Sequence, residues 1–116
     1  MHTKNALPLV KKNEKMSKAL ITMTKKSFGC LGVLDKNNKI IGIITDGDLR
    51  RKIDKRFIEK KAFEVMTKNP VMANQNMLVG EALNVMNKKK ITSLFVCDKK
   101  KPIGIIHIHD LLRLSS

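Results

Sequence analysis

Two short runs of this sequence combine residue types that can bind a ligand or cap a helix. One is Gly42-Ile43-Ile44-Thr45-Asp46-Gly47-Asp48-Leu49-Arg50-Arg51, and the other is Gly104-Ile105-Ile106-His107-Ile108-His109-Asp110-Leu111-Leu112-Arg113. In each, an apolar run ends in a polar residue, and a carboxylate follows three positions later. Where an extended run turns into a helix, the first N–H groups are free and the dipole end is positive, which suits a phosphate. A hydroxyl at Thr45 reaches the same anion. Asp48, one helical turn on, can accept two hydrogen bonds from a ribose diol. The spacing also fits a capping box, in which Thr caps the helix and the acid caps back. Taken alone, the first run reads better as a cap. The second run shifts the balance toward binding, because the acid recurs at Asp110 while His107 takes the place of Thr45 and His is a poor N-cap.

Other chemistry is thinly represented. His107-x-His109 suggests a metal, but no third ligand has sensible spacing and His2 sits in the terminal segment, so no metal site is assigned. Cys30 and Cys97 lie in apolar runs and read as buried, reduced thiols. No Ser or Cys stands in an evident arrangement with His and an acid, and no Walker-type glycine loop occurs, so no catalytic residue is assigned and the chain is read as a non-enzyme. The net charge of +14 invites a nucleic-acid reading, which the details disfavour. Nearly all of it is Lys scattered along the chain, and there is no Tyr or Trp for base stacking. No apolar stretch approaches the roughly 18 residues of a membrane span, and the start does not resemble a signal peptide, so a soluble, cytoplasmic protein is expected.

What must position the two runs is an internal repeat with an offset of 62 to 63 residues. Leu7-Pro8-Leu9-Val10 returns as Asn69-Pro70-Val71-Met72, Ala19-Leu20 as Ala82-Leu83, and Asp48-Leu49 as Asp110-Leu111. Each half begins with a short extended segment. An amphipathic helix follows, with Met16, Ala19, Leu20 and Met23 matched by Val79, Ala82, Leu83 and Met86. Two apolar runs around a polar turn then read as a buried hairpin: Cys30 to Leu34 with Ile40 to Ile44, and Ser93 to Cys97 with Ile103 to Ile106. A helix closes each half, from about Asp46 to Asp54 and from about Ile108 to Leu114. Phe57 to Met66 reads as a connecting helix that ends before Pro70. The Met side chains, Met16, Met23, Met72, Met77 and Met86, read as core or interface filler. A β-α-β-β-α unit this small cannot bury both sheet faces alone, whereas two packed sheet to sheet can. That expectation is a mixed α+β fold with a pseudo-twofold, clefts for ligands between the halves, and domains at 1–60 and 61–116, the connector helix falling mainly with the second.

The repeated Gly-apolar-apolar-Thr-x-x-Asp after a hairpin resembles the CBS domain, and the resemblance covers essentially the whole chain. It implies a regulatory pair that binds adenosine-type nucleotides such as AMP or ATP, with Thr45, His107, Asp48 and Asp110 on phosphate and ribose. It also implies that Thr92 and Ser93, at the start of a strand, face the ligand. Arg50 and Arg51 read as solvated helix charges, with one of them, assigned as Arg50, reaching a ligand phosphate. More narrowly, Leu7-Pro8-Leu9-Val10, Thr45-Asp46-Gly47-Asp48-Leu49-Arg50-Arg51, Ile91-Thr92-Ser93 and His109-Asp110-Leu111-Leu112-Arg113 are similar to the C-terminal part of arabinose-5-phosphate isomerases. Those enzymes join a catalytic sugar isomerase (SIS) domain to a CBS pair and serve Kdo and lipopolysaccharide synthesis. In that setting the SIS domain is a partner within a parent chain, and CMP or CMP-Kdo becomes a candidate feedback ligand. The alternatives are a stand-alone pair that binds adenosine nucleotides, or a basic nucleic-acid-binding module. No cofactor is required on any of these readings. A homodimer is expected, from the resemblance and from apolar residues left on the helices at Ile21, Ile53, Phe57 and Ile58.

Overall fold

Met16, Ala19 and Met23 fall on one helical stripe, and the helix they define, α1 (Met16–Lys26), buries all three. It carries the chain from β1 (Leu9–Lys11) to β2 (Cys30–Leu34), which pair in parallel with Leu9 opposite Gly32. The turn after β2 is built by Asp35, whose Oδ1 accepts the backbone N–H groups of Asn37 at 2.8 Å and Lys39 at 3.0 Å. Those bonds, that from Lys39 foremost, hold its carboxyl below the ordinary Asp range. β3 (Ile40–Thr45) then returns antiparallel to β2, and α2 (Asp46–Lys52) closes the unit.

The second half repeats the order: β5 (Met72–Asn74), α4 (Val79–Lys89), β6 (Ser93–Asp98), β7 (Lys101–His107) and α5 (Ile108–Ser115). Between the halves stand a 3-10 turn (Phe57–Glu59), α3 (Ala62–Val65) and β4 (Thr67–Lys68). These elements belong to a computed structural model that describes residues 6–26 and 28–115. The fold is mixed α+β, with sheet orders β1-β2-β3-β4 and β5-β6-β7. His2, named above as a weak metal candidate, lies outside the described residues, as does the side chain of Arg113.

Four readings change. The hairpins are not buried throughout: central β2 is buried at all five residues, but β3 alternates buried and half-buried positions, and β7 buries only Gly104 and Ile105. A central strand is covered along its whole length, whereas its neighbour exposes part of one face. Val79 is exposed and Leu83 only partly buried, so α4 rests on Ala82 and Met86.

The connector is not a single helix. Its backbone bonds elsewhere: Met16 N–H donates to Lys60 O, Ala62 N–H to Glu14 O and Phe63 N–H to Lys12 O, at 2.8 to 3.0 Å. These bonds hold Lys60 and Lys61 extended beside the turn before α1, Lys61 bridging to Lys15, and leave only Ala62–Val65 α-helical. Phe57, Ala62 and Val65 are buried in the first core, beside Met16, Leu31 and Ile44. Phe57, expected as a surplus surface residue, is therefore core at 2% exposure. The described residues accordingly divide into one compact unit at 8–70 and another comprising 71–115 with Ala6 and Leu7. Among the described residues, no helix is long and apolar enough to cross a membrane.

Candidate functional site

Each half turns from strand to helix at the residues singled out by type and spacing. In the first, Thr45 ends β3 in extended conformation (φ −114°, ψ 169°) and is the N-cap of α2. Its Oγ1 accepts the N–H of Asp48 at 3.2 Å, while Asp48 Oδ2 accepts the Thr45 backbone N–H at 3.0 Å and lies 3.2 Å from Oγ1. The capping box is complete.

Asp48 does more than cap. Its Oδ1 accepts Arg51 Nη2 at 2.7 Å and Thr67 Oγ1 at 2.8 Å. The carboxylate is 1% exposed, yet both of its oxygens are satisfied. Burial alone would push this carboxyl up. The hydrogen bonds from the Thr45 backbone, Thr67 and Arg51, with the charge of Lys52, outweigh burial and hold it below the ordinary Asp range. Gly47 makes room for the arginine, since a Cβ there would stand 3.2 Å from Arg51 Nη1.

The second corner uses different donors. Asp110 Oδ2 accepts the backbone N–H of His107 at 3.2 Å, as Asp48 does for Thr45. His107 Nδ1 accepts the backbone N–H of His109 at 3.2 Å, and the two imidazoles stack with centroids 4.8 Å apart. The expectation that the cap is lost in this half is therefore corrected. An unprotonated imidazole nitrogen takes the role of the threonine hydroxyl. The same bond commits Nδ1, which works against the His-x-His as a metal ligand. Among the described residues no cluster of three or more His, Cys, Asp or Glu could hold an ion.

The structure brings Ser93 opposite His107 in the β6–β7 ladder, and Ile108 N–H donates to Thr92 O at 2.8 Å, so Thr92, Ser93, His107 and Asp110 share one corner. Thr45 and Asp48 share the other. Arg50 is exposed, and the guanidinium on the acid belongs instead to Arg51. Its i, i+3 spacing from Asp48 was a usable signal. Thr67 had none, because it comes from the connector 19 residues away.

Comparison with known proteins adds three findings. The model of the CBS domain matches twice, at residues 2–55 and 62–116. The chain is 45% identical over 114 residues to an uncharacterised protein of Rickettsia prowazekii and 40% identical over 115 residues to arabinose 5-phosphate isomerase KdsD of Escherichia coli K12. These alignments cover 98% and 97% of the chain, which spans only 36% and 35% of the relatives' lengths. Among solved structures, CBSX2 in complex with AMP, a CBS-pair protein of Arabidopsis thaliana, superposes with a TM-score of 0.84 at 24% identity, over 99% of this chain and 91% of that one.

Proposed function

Because the chain belongs to the CBS domain family, with one copy in each half, we propose that this regulatory pair binds a nucleotide through its two strand-to-helix corners. The observation that carries the reading is the recurrence of one constellation: a strand ends in a capping residue, and a helix presents an acid at its third position. The AMP complex of a neighbour with this fold supports an adenine nucleotide as the first candidate. The acids are the groups suited to a ribose diol, and Thr45, Thr92, Ser93, His107 and Arg50 supply hydroxyls, an imidazole and a charge near them. Arg51 joins this set on its contact with Asp48.

The finer reading is that the pair regulates an arabinose 5-phosphate isomerase. It rests on the likeness to KdsD, of which this chain matches about a third. The catalytic SIS domain would then be a partner in a longer chain, and CMP or CMP-Kdo would be a chemically sensible feedback ligand. A homodimer fits the exposed Ile21, Ile53 and Ile58, which are 66%, 68% and 56% accessible. A solution mass by light scattering equal to one chain at high concentration would remove that part.

Calorimetry against AMP, ATP, CMP and CMP-Kdo tests the central claim. Asp48→Asn and Asp110→Asn should each weaken binding about ten- to a hundredfold at their own corner, the value of a hydrogen bond to a charged group. Parent-like binding by both variants would reduce these acids to caps. Salt-sensitive binding to random DNA, with no nucleotide bound, would replace the reading with a nucleic-acid one.

A further inference from the structure

The acid of the first half fastens the end of the connector. Thr67, which donates to Asp48 Oδ1, is the first residue of β4, and β4 pairs antiparallel with β3 through Ile43 opposite Thr67 and Gly42 opposite Lys68. Two residues make a strand too short to hold by its own ladder. Side chains supply the rest. Met66 packs over Gly42, where a Cβ would meet its Sδ at 2.3 Å, and Lys52 Nζ donates to Val65 O at 2.6 Å. β4 is thus the end of the connector, tied down at the site just described. In the second half β7 is an edge strand, with no fourth strand beside it among the described residues.

A carboxylate offers about four acceptor positions. Asp48 has four donors around it: the Thr45 N–H and hydroxyl on Oδ2, and Arg51 and Thr67 on Oδ1. A ligand hydroxyl can reach this acid only by displacing one of them. The Thr45 N–H and hydroxyl are both held by the cap, the hydroxyl oxygen also accepting the Asp48 N–H. Arg51, with a side chain 66% exposed, and the exposed Thr67 are the movable pair.

We propose that Asp48 is a latch on β4. With the acid unliganded, Thr67 holds the connector strand against β3; a ligand hydroxyl on Oδ1 displaces Thr67 and loosens β4. The first clause stands on geometry alone, and the second rests on the nucleotide reading above.

Hydrogen exchange at the β4 amides separates the two clauses. Without ligand, Thr67→Val, which keeps the shape and removes the donor, should speed exchange there about tenfold, and Thr67→Ser should restore the parent rate. Saturating AMP or CMP should speed β4 exchange in the parent and add nothing in Thr67→Val, which should also bind the nucleotide several-fold tighter because its competitor is gone. Unchanged β4 exchange in Thr67→Val overturns the latch. Nucleotide binding that leaves β4 exchange at the parent rate overturns its link to the ligand. No binding of either nucleotide to the parent overturns the functional reading and that link together, while the ligand-free comparison still decides the latch.

Discussion

The two strand-to-helix corners share a sequence template and differ in what their acids hold. Asp48 is buried and gathers donors from its cap, from the next helical turn and from β4. Asp110 is half-buried, its cap is an imidazole, and the strand it follows has no fourth strand beside it among the described residues. A repeat thus preserves the local backbone solution, in which an acid at the third helical position bonds the N-cap N–H, while the surroundings set how much rests on it. The hairpin turns differ in the same way. The first uses Asp35 side-chain bonds and places only Asn38, which tolerates it, at positive φ. The second joins its strands through Lys99 and Lys100 alone, both left-handed at φ 50° and 69°.

The largest expected separation between the halves comes from removing the acids. Asp48→Ala should cost about 3 kcal/mol in urea unfolding, against about 1 kcal/mol for Asp110→Ala. Equal losses would erase the comparison. Next is Gly42→Ala, whose new Cβ collides with Met66 and should cost about 1–3 kcal/mol by overpacking, read in the same assay.

The acid titration sharpens the contrast without altering shape. Asp48 titrates lower in the folded chain than in the unfolded one. Its stabilisation is therefore complete above the ordinary Asp value of about 4 and is lost as pH falls through the lowered folded value. Asp48→Asn should flatten that acid limb of the stability profile, and a limb identical to the parent's would show that Asp48 is not its source. A smaller effect of opposite sign is expected from Lys100→Gly, which relieves a left-handed lysine and should stabilise by about 1 kcal/mol. Asn38→Gly in the first turn should change little. Smallest is a chemical readout: burial pushes the Cys97 thiol up to about 11, so alkylation of the native chain at neutral pH should leave it unmodified.

Much of this was legible in the residues. The repeat gave two β-α-β-β-α halves with element ends close to those observed, because apolar period and turn residues act locally. The spacing Thr45-x-x-Asp48 announced its capping box. The connector was not legible as built: Phe57, Ala62 and Val65 keep a helical rhythm, but Lys12, Glu14 and Met16 bond it from more than 40 residues away in sequence. Thr67 was invisible for the same reason, as its partner is set by β4 pairing and not by spacing. His107 was misjudged as a cap because propensity averages over imidazoles that lack a well-placed N–H, whereas here His109 supplies one.

The two left-handed lysines between β6 and β7 also bear on time. Closing a hairpin is an early event, on a scale of about 1–10 μs, and a turn that must force two lysines to positive φ closes against a penalty that the Asp35 turn does not meet. The first half holds the better turn and is also the first to be synthesised. It should therefore be the nucleus from which this chain organises, with the second hairpin arriving late.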